Sequence, residues 1–425
     1  MTTFDRAALD ALPIAPGSTG AIRERAFAQF EALPVPSQET EEWRYTDLSD
    51  FSLDFVPHAP GHGDGAPPTD SDGLAASILQ HNSSVVMTTS GQDLESRGVI
   101  FCDLDLAAEK YPELVDPNLH DLVPTDRTKF TALHGAFRTG GTFLYVPADV
   151  GVEMPLQTVT YLDADGAAVF PHTLLIAERG AEVTFIDRYV SPDLERGLSD
   201  AVTEIVVGDG AHVRYASIQE WGNGVTHLSV QRTRLGRDAD FRSLAVGFGA
   251  SLARAEVEAV LAEPGGFSEL LGVFFADEDQ HFDHRSVQDH AAPNCTSDLL
   301  YKGALLDRSR AVYSGWVHVR PDAQKTIAMQ TSRNMVLSEH AKADAIPNLE
   351  IEANDVRCGH AASVGPVEEE TLFYLQSRGI PRDEAERLVV TGFFQEVLDR
   401  VTLEEVRTGA ELAIQEELQG RSDGG

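Results

Sequence analysis

Between about residues 140 and 362 one phrase recurs, and it restricts what this chain can fold into more than any other feature. An apolar β-patterned run meets a tight polar turn and then another β-patterned run. It reads Leu144-Tyr145-Val146-Pro147-Ala148-Asp149-Val150-Gly151-Val152, then Leu174-Leu175-Ile176-Ala177-Glu178-Arg179-Gly180-Ala181-Glu182-Val183, then Ile205-Val206-Val207-Gly208-Asp209-Gly210-Ala211-His212-Val213. Weaker versions lie around Asp238-Ala239 and Gly265-Gly266, so the turns at 151, 180, 210, 238 and 265 are about 27 to 30 residues apart. Turns at Ser309, Asp322, His340 and Val356 come at roughly half that interval. Short β-units with no helix between them bury their apolar faces only by stacking on their neighbours. The expected fold is mainly β, with a parallel β-helix core. A β-sandwich or jelly roll would match the strand density, but its turns would not share one phrase at regular steps.

The flanks have a different texture. Residues 1–136 read as an α-rich region, in which Ser18-Thr19-Gly20 precedes a helical run from Ala21 to Leu33 that Pro34 and Pro36 end. Within it, residues 57–73 carry Pro, Gly, His or Asp almost throughout and read as a flexible linker. The core is expected over 137–365. A helical domain follows over 366–425, opening on Pro366-Val367-Glu368-Glu369-Glu370 and stopping near Gly379. A second helix begins near Pro381, a third spans about Leu403 to Leu418, and residues 420–425 read as a disordered tail. On the second helix apolar residues extend well round the surface, with Phe393, Phe394 and Val397 offering a face to a partner protein beyond ordinary core packing.

Composition narrows the function. The 68 acidic residues against 33 basic ones give a formal net charge of −35, a field that disfavours nucleic acid and anionic lipid as partners. The acids are spread along the chain and only five basic residues are Lys, which resembles proteins working in molar salt, where self-repulsion is screened. No apolar stretch approaches a membrane span, and Met1-Thr2-Thr3-Phe4-Asp5-Arg6 lacks a signal-peptide pattern. Cys102, Cys295 and Cys358 are too few and scattered for a disulfide framework, which fits a reducing cytoplasm.

The candidate chemistry lies at the end of the repeat, in Asp355-Val356-Arg357-Cys358-Gly359-His360-Ala361. On a strand Cys358 and His360 would point to one face, so a thiol and an imidazole could meet one inorganic centre. The ordinary alternative is a small buried Cys beside a loop His. The group His281, His284, His290 and Cys295 matches no standard zinc spacing, and solvated histidines on a β-helix turn are the favoured reading there. No G-x-x-x-x-G-K-[ST], dinucleotide fingerprint, G-x-S-x-G or H-E-x-x-H phrase occurs, so ATP hydrolysis would have to reside elsewhere.

Several phrases carry a family resemblance. They are Glu42-Trp43-Arg44-Tyr45-Thr46, Asp289-His290, Tyr301-Lys302-Gly303-Ala304-Leu305-Leu306-Asp307, Gly315-Trp316-Val317-His318-Val319 and Ala323-Gln324-Lys325-Thr326. The stretch from Pro347-Asn348-Leu349-Glu350-Ile351 through Cys358 and His360 to Arg378-Gly379-Ile380 is the most specific. The chain resembles the SufB/SufD family of iron–sulfur cluster assembly scaffolds. The match is strong over 280–400 and extends over 50–270 only as β-repeat texture. Proteins of the SufB type carry a cluster Cys in a Cys-Gly-Ala-His-Thr-type phrase; the matching run here is His340-Ala341-Lys342-Ala343-Asp344-Ala345-Ile346-Pro347, with Ala341 at that Cys. Where they carry Glu-His-Glu, this chain has Cys358-Gly359-His360. Both departures favour the SufD type.

The resemblance implies a right-handed parallel β-helix flanked by helical regions, and a non-catalytic subunit with two partners. These are a SufB paralogue docked core against core, with a homodimer as the form taken alone, and the ABC-type ATPase SufC on the C-terminal helices, where Phe393, Phe394 and Val397 lie. It implies that His360, and with it Cys358, meets iron or a transient iron–sulfur cluster at the SufB interface, with ATP bound by SufC and no cofactor held stably by this chain alone. The competing readings are a β-helix enzyme acting on a carbohydrate and a SufB-type paralogue. The charge makes a polyanionic polysaccharide a poor substrate.

Overall fold

A column of turns organises the molecule. The computed structural model describes residues 3–49, 51–61, 73–401 and 404–420. Asp149, Gly180, Gly210, Asp238, Gly265, Asn294 and Lys325 all adopt left-handed backbone conformations, with φ between +54° and +82°, every 27 to 31 residues. Each hands its amide to the next turn: Gly180 N donates to Asp209 O at 2.8 Å, Gly210 N to Arg237 O at 2.7 Å, Asp238 N to Pro264 O at 3.0 Å and Lys325 N to Asp355 O at 2.6 Å. At Gly265 glycine is required twice over, since φ is +82° and an added Cβ would fall 1.9 Å from Asp238 Oδ1. A second column runs on the opposite side through Glu278 and Asp307, linked by Arg308 N donating to Glu278 O at 2.9 Å. The half-interval of the later turns is the interleaving of these two columns.

Between the columns each coil contributes one strand to each of two ten-stranded sheets. The coil Glu182–Val190 and Gly197–Val207 is followed by His212–Glu220 and Val225–Leu235, and so on to Ile327–Val336 and Lys342–Ile351, with Arg357–Pro366 as a final half-coil. The pairings between successive coils are parallel and unshifted, so residues stack in columns. One interior column runs Val183, Val213, Phe241, Ser268, Ser297, Ala328, Cys358; a second runs Phe185, Tyr215, Ser243, Leu270, Leu299, Gln330, His360. Their early members form one apolar core. β-structure begins before residue 137: Ala76–His81 pairs in parallel with Leu156–Tyr161, and Ser84–Ser90 and Ile100–Asp103 close the N-terminal ends of the two sheets in antiparallel pairs.

Helices cover the outer faces. Thr19–Ala32 and Lys129–Phe137 pack Phe27, Phe30, Phe130 and Phe137 over Leu198 and Leu228 of one sheet. Ser18, the residue before the first of these helices, makes no side-chain bond to it; its hydroxyl donates instead to Asp116 Oδ1 at 2.6 Å. Arg382–Leu398 and Glu404–Gly420 lie on the other sheet, against Leu244, Leu271, Val273 and Leu300, preceded by Glu369–Ser377 and by Gly379 at φ +88°. The Lys302 ammonium pins the long helix by donating to Phe393 O at 2.6 Å and pairing with Glu396 at 2.6 Å. Residues 62–72 of the expected linker and 421–425 of the expected tail lie outside the described residues. No helix among the described residues is long and apolar enough to cross a membrane.

Candidate interface at the open end of the β-helix

The last coil has a neighbour on one side only. Lys342–Ile351 and Arg357–Pro366 each end their sheet, leaving two parallel strand edges ten residues long. Backbone N–H and C=O groups along such edges can template the strands of another chain. Trp316, Ile327, Met329, Ile351 and Val364 are large apolar side chains left exposed on these final coils.

Cys358 and His360 occupy this terminal strand and share its inward row, stacked over Ala328 and Gln330 respectively. The absence of a further coil leaves His360 exposed although its column is buried up to Gln330. Cys358 is half-buried against Val317, Val319, Ala323, Ala328 and Ala353, and burial pushes its thiol above the ordinary range. At neutral pH it is a protonated, packed thiol, and it would ligate only a centre whose positive charge draws the proton off. The interior changes character just beneath. Gln288, Gln330 and Asn334 are buried with both side-chain polar atoms lacking a hydrogen-bond partner among the described residues. In the earlier coils the Gln330 column holds Phe185, Tyr215, Ser243, Leu270 and Leu299. The row Gln330, Ser332, Asn334 sets buried polar side chains directly beneath the terminal strand, where the preceding coil has Leu299, Tyr301 and Gly303. Its signal in the sequence is polar residues at alternate positions of a strand whose immediate predecessor has those three there.

The other candidates fall elsewhere. His284 and His290 share the inward face of the strand His281–His290 and are buried, where solvated histidines were expected. His284 stacks on Phe274 at 4.6 Å, His290 Nε2 lies 2.8 Å from Ser297 Oγ, and desolvation lowers both imidazoles to a pKa of about 4. Neither is aimed at a common ligand with His281, which the strand alternation sends outward. Phe394 and Val397 turn onto the molecule's own sheet and are fully buried, so they offer no surface; Phe393 is partly buried, its ring beneath the Lys302 ammonium. Among the described residues, the large apolar side chains exposed in this helical region are Phe373, at 72 %, Tyr374, at 56 %, Leu388 and Leu412. Spacing alone could not separate these from the buried set, because the long helix is apolar on more than one side.

Comparisons with known proteins bear on the whole of this architecture. Residues 160–393 match the model of the SUF system FeS cluster assembly SufBD core domain, and residues 70–158 that of the SufBD protein N-terminal region. The chain is 34 % identical over 429 residues to an iron–sulfur cluster assembly SufBD family protein of Mycobacterium tuberculosis, covering 95 % of this chain and 97 % of that protein. It is 31 % identical over 403 residues to the iron–sulfur cluster assembly protein SufD of Bacillus subtilis, covering 91 % of both. A SufBD family protein of Staphylococcus saprophyticus is 32 % identical over 397 residues, 90 % of this chain and 85 % of that protein. The chain belongs to the SufBD family of iron–sulfur cluster assembly proteins and is a homologue of SufD.

Proposed function

We propose that this chain is a non-catalytic scaffold subunit that builds half of a cluster-assembly interface at the open end of its β-helix. A SufB-type paralogue is the partner there, aligning its own terminal strands with Lys342–Ile351 and Arg357–Pro366, and a second copy of this chain takes that place when the paralogue is absent. The observation that carries this reading is the position of His360, at the uncovered end of an otherwise closed interior column. An imidazole there is a suitable donor for iron, and a mixed donor set from two subunits favours release of the finished cluster over permanent storage. The cluster is cargo, and the thiolates that hold most of it come from the partner, since Cys358 is largely packed.

SufC, the ATPase, docks on the C-terminal helices. Phe373, Tyr374 and Leu388 support that assignment as an exposed apolar group on elements anchored to the sheet through Lys302. ATP-driven motion of SufC would then reach the cluster end through the strands Thr296–Leu305 and Ile327–Val336, which carry Lys302 and Arg333, the two cations paired with Glu396. Purification of the tagged chain with its native neighbours, followed by mass spectrometry, tests the proposal. Recovery of an ABC-type ATPase with a Cys-bearing paralogue is expected. A chain that stays alone across salt and crosslinking conditions would overturn it.

A further inference from the structure

Far from the open end, where the N-terminal helices meet the β-helix, three histidines converge in the interior. His134 comes from the helix Lys129–Phe137, His172 opens the strand His172–Ala177, and His120 lies in the connection between the N-terminal helices. All three are buried, and one ring nitrogen from each lies within 4.8 Å of the other two. Glu204 fixes the connection from beneath: Oε2 accepts from His120 N at 2.7 Å, and Oε1 from Leu122 N at 2.8 Å and Val123 N at 2.9 Å.

The outer hydrogen bonds assign the ring protons. His134 Nδ1 donates to the Asp200 carbonyl at 2.8 Å, which leaves Nε2 as its lone-pair nitrogen. His172 Nε2 faces Glu204 Oε2 at 3.2 Å, and His120 Nδ1 faces the Val123 carbonyl at 3.2 Å. With those protons on the outer nitrogens, the inner ones are bare, and His134 Nε2 and His172 Nδ1 lie 3.0 Å apart. Two lone pairs at that separation repel unless a positive charge lies between them. The other tautomer of His172 sets a bare Nε2 against Glu204 Oε2, so without an ion the cluster closes only when that carboxyl itself carries a proton to donate, whereas an ion between the inner nitrogens leaves Glu204 a carboxylate. Neutral imidazoles, each tied outward to a carbonyl or carboxylate, are the arrangement in which histidines ligate a metal, and 3.0 Å is close to the roughly 3.3 Å edge of a zinc tetrahedron.

We infer that His120, His134 and His172 form a binding site for a divalent first-row cation, of which Zn²⁺ best suits three neutral nitrogen donors. The ion would tie the N-terminal helices to the β-helix, a structural role separate from cluster assembly. The test uses the full chain, stripped with a chelator and titrated with Co²⁺ and Zn²⁺. One equivalent of Co²⁺ should give the visible absorption of a four-coordinate, nitrogen-ligated ion, and Zn²⁺ should displace it and raise the thermal midpoint. His172→Gln should lower Zn²⁺ affinity at least 100-fold. His318→Ala, which breaks the exposed group His318, Glu350 and Glu352, should leave the spectrum unchanged. A wild-type chain that gives no cobalt spectrum and no zinc-dependent midpoint overturns the inference, whatever the variants do. So does loss of the spectrum in His318→Ala, or a near-ultraviolet thiolate-to-cobalt band, which would move the ion to Cys358 and His360.

Discussion

Arg254 Nη1 lies 2.5 Å from Asp283 Oδ2 on the neighbouring strand, both side chains are buried, and the Trp43 ring covers the guanidinium at 3.9 Å. The Thr46 hydroxyl donates to the same carboxylate oxygen, and Arg285 Nε approaches the other at 3.2 Å. The phrase from Trp43 to Thr46 is therefore the clasp that fastens the N-terminal segment to the β-helix. Removing one partner of a buried ion pair strands the other, at about 3–5 kcal/mol. Asp283→Ala should lose an amount at the lower end of that range, because Arg285 would be left without its ion pair while Arg254 keeps Glu256 at 2.6 Å. Urea denaturation followed by tryptophan fluorescence measures the loss. A change below about 1 kcal/mol would mean that water replaces the carboxylate freely and the clasp reading fails.

How far this was legible in the sequence depends on which residues mark the turns. The column at Gly180, Gly210 and Gly265 is visible because glycine is the cheapest left-handed residue, and Asp238 is a common substitute. Asn294 and Lys325 continue the same column, yet a lysine at φ +62° carries no signal of its own, so the period seemed to halve where a second column enters. Cys358 and His360 could be placed on one face from their spacing alone. That His360 is exposed could not, because it depends on the absence of a further coil. Phe394 and Val397 were indistinguishable from surface residues until the helix was set on its sheet. The triad of His120, His134 and His172 is spread over some fifty residues and three kinds of element, with no periodic spacing to join it.

Acid should unfold the protein early, with a sign set by buried imidazoles. His284 and His290 sit at about 4 against an ordinary 6.5 because burial disfavours their charged forms. Above pH 6.5 both states of the chain are neutral there and nothing is contributed. As pH falls from 6.5 to 4 the unfolded chain takes up protons that the folded one refuses, so stability drops by up to about 3 kcal/mol for each histidine. Neither ring nitrogen of His284 has a partner among the described residues, so His284→Phe keeps the stack on Phe274 and removes one titrating group. Its thermal midpoint should fall less steeply than the wild type's between pH 7 and 4.5. Parallel curves would show that His284 is not the group being protonated.

The exposed pair on the first C-terminal helix should matter to association and not to folding. Phe373 and Tyr374 contribute little to the core, so Phe373→Ala with Tyr374→Ala should change stability by less than about 1 kcal/mol. If they are the anchors on which the ATPase sits, binding should weaken by about 2–4 kcal/mol, a roughly 30- to 1000-fold rise in Kd. By contrast, Phe394→Ala should lose about 3–5 kcal/mol of stability, since it opens a cavity under the long helix. Isothermal titration with SufC, alongside denaturation of each variant, separates the two effects. Unchanged binding by the double variant would move the docking surface off this helix.

His360→Ala tests the cluster end in the same spirit. His360 is exposed and stacked over Gln330, and no side-chain hydrogen bond or ion pair among the described residues holds it, so the variant should keep its thermal midpoint to within a few degrees. Partner binding should also survive, because on the proposed interface the edges of Lys342–Ile351 and Arg357–Pro366 would pair through the backbone, and the substitution leaves those groups in place. Cluster reconstituted on the complex should fall several-fold, read from iron and sulfide content and from visible absorption. Cys358→Ser should do less, since the thiol is packed and held protonated by burial. If His360→Ala assembles cluster at the wild-type level, the imidazole is not a donor to the cargo. If Cys358→Ser is then the damaging change, the donor at this end is the thiol, and the partner must supply the charge that deprotonates it.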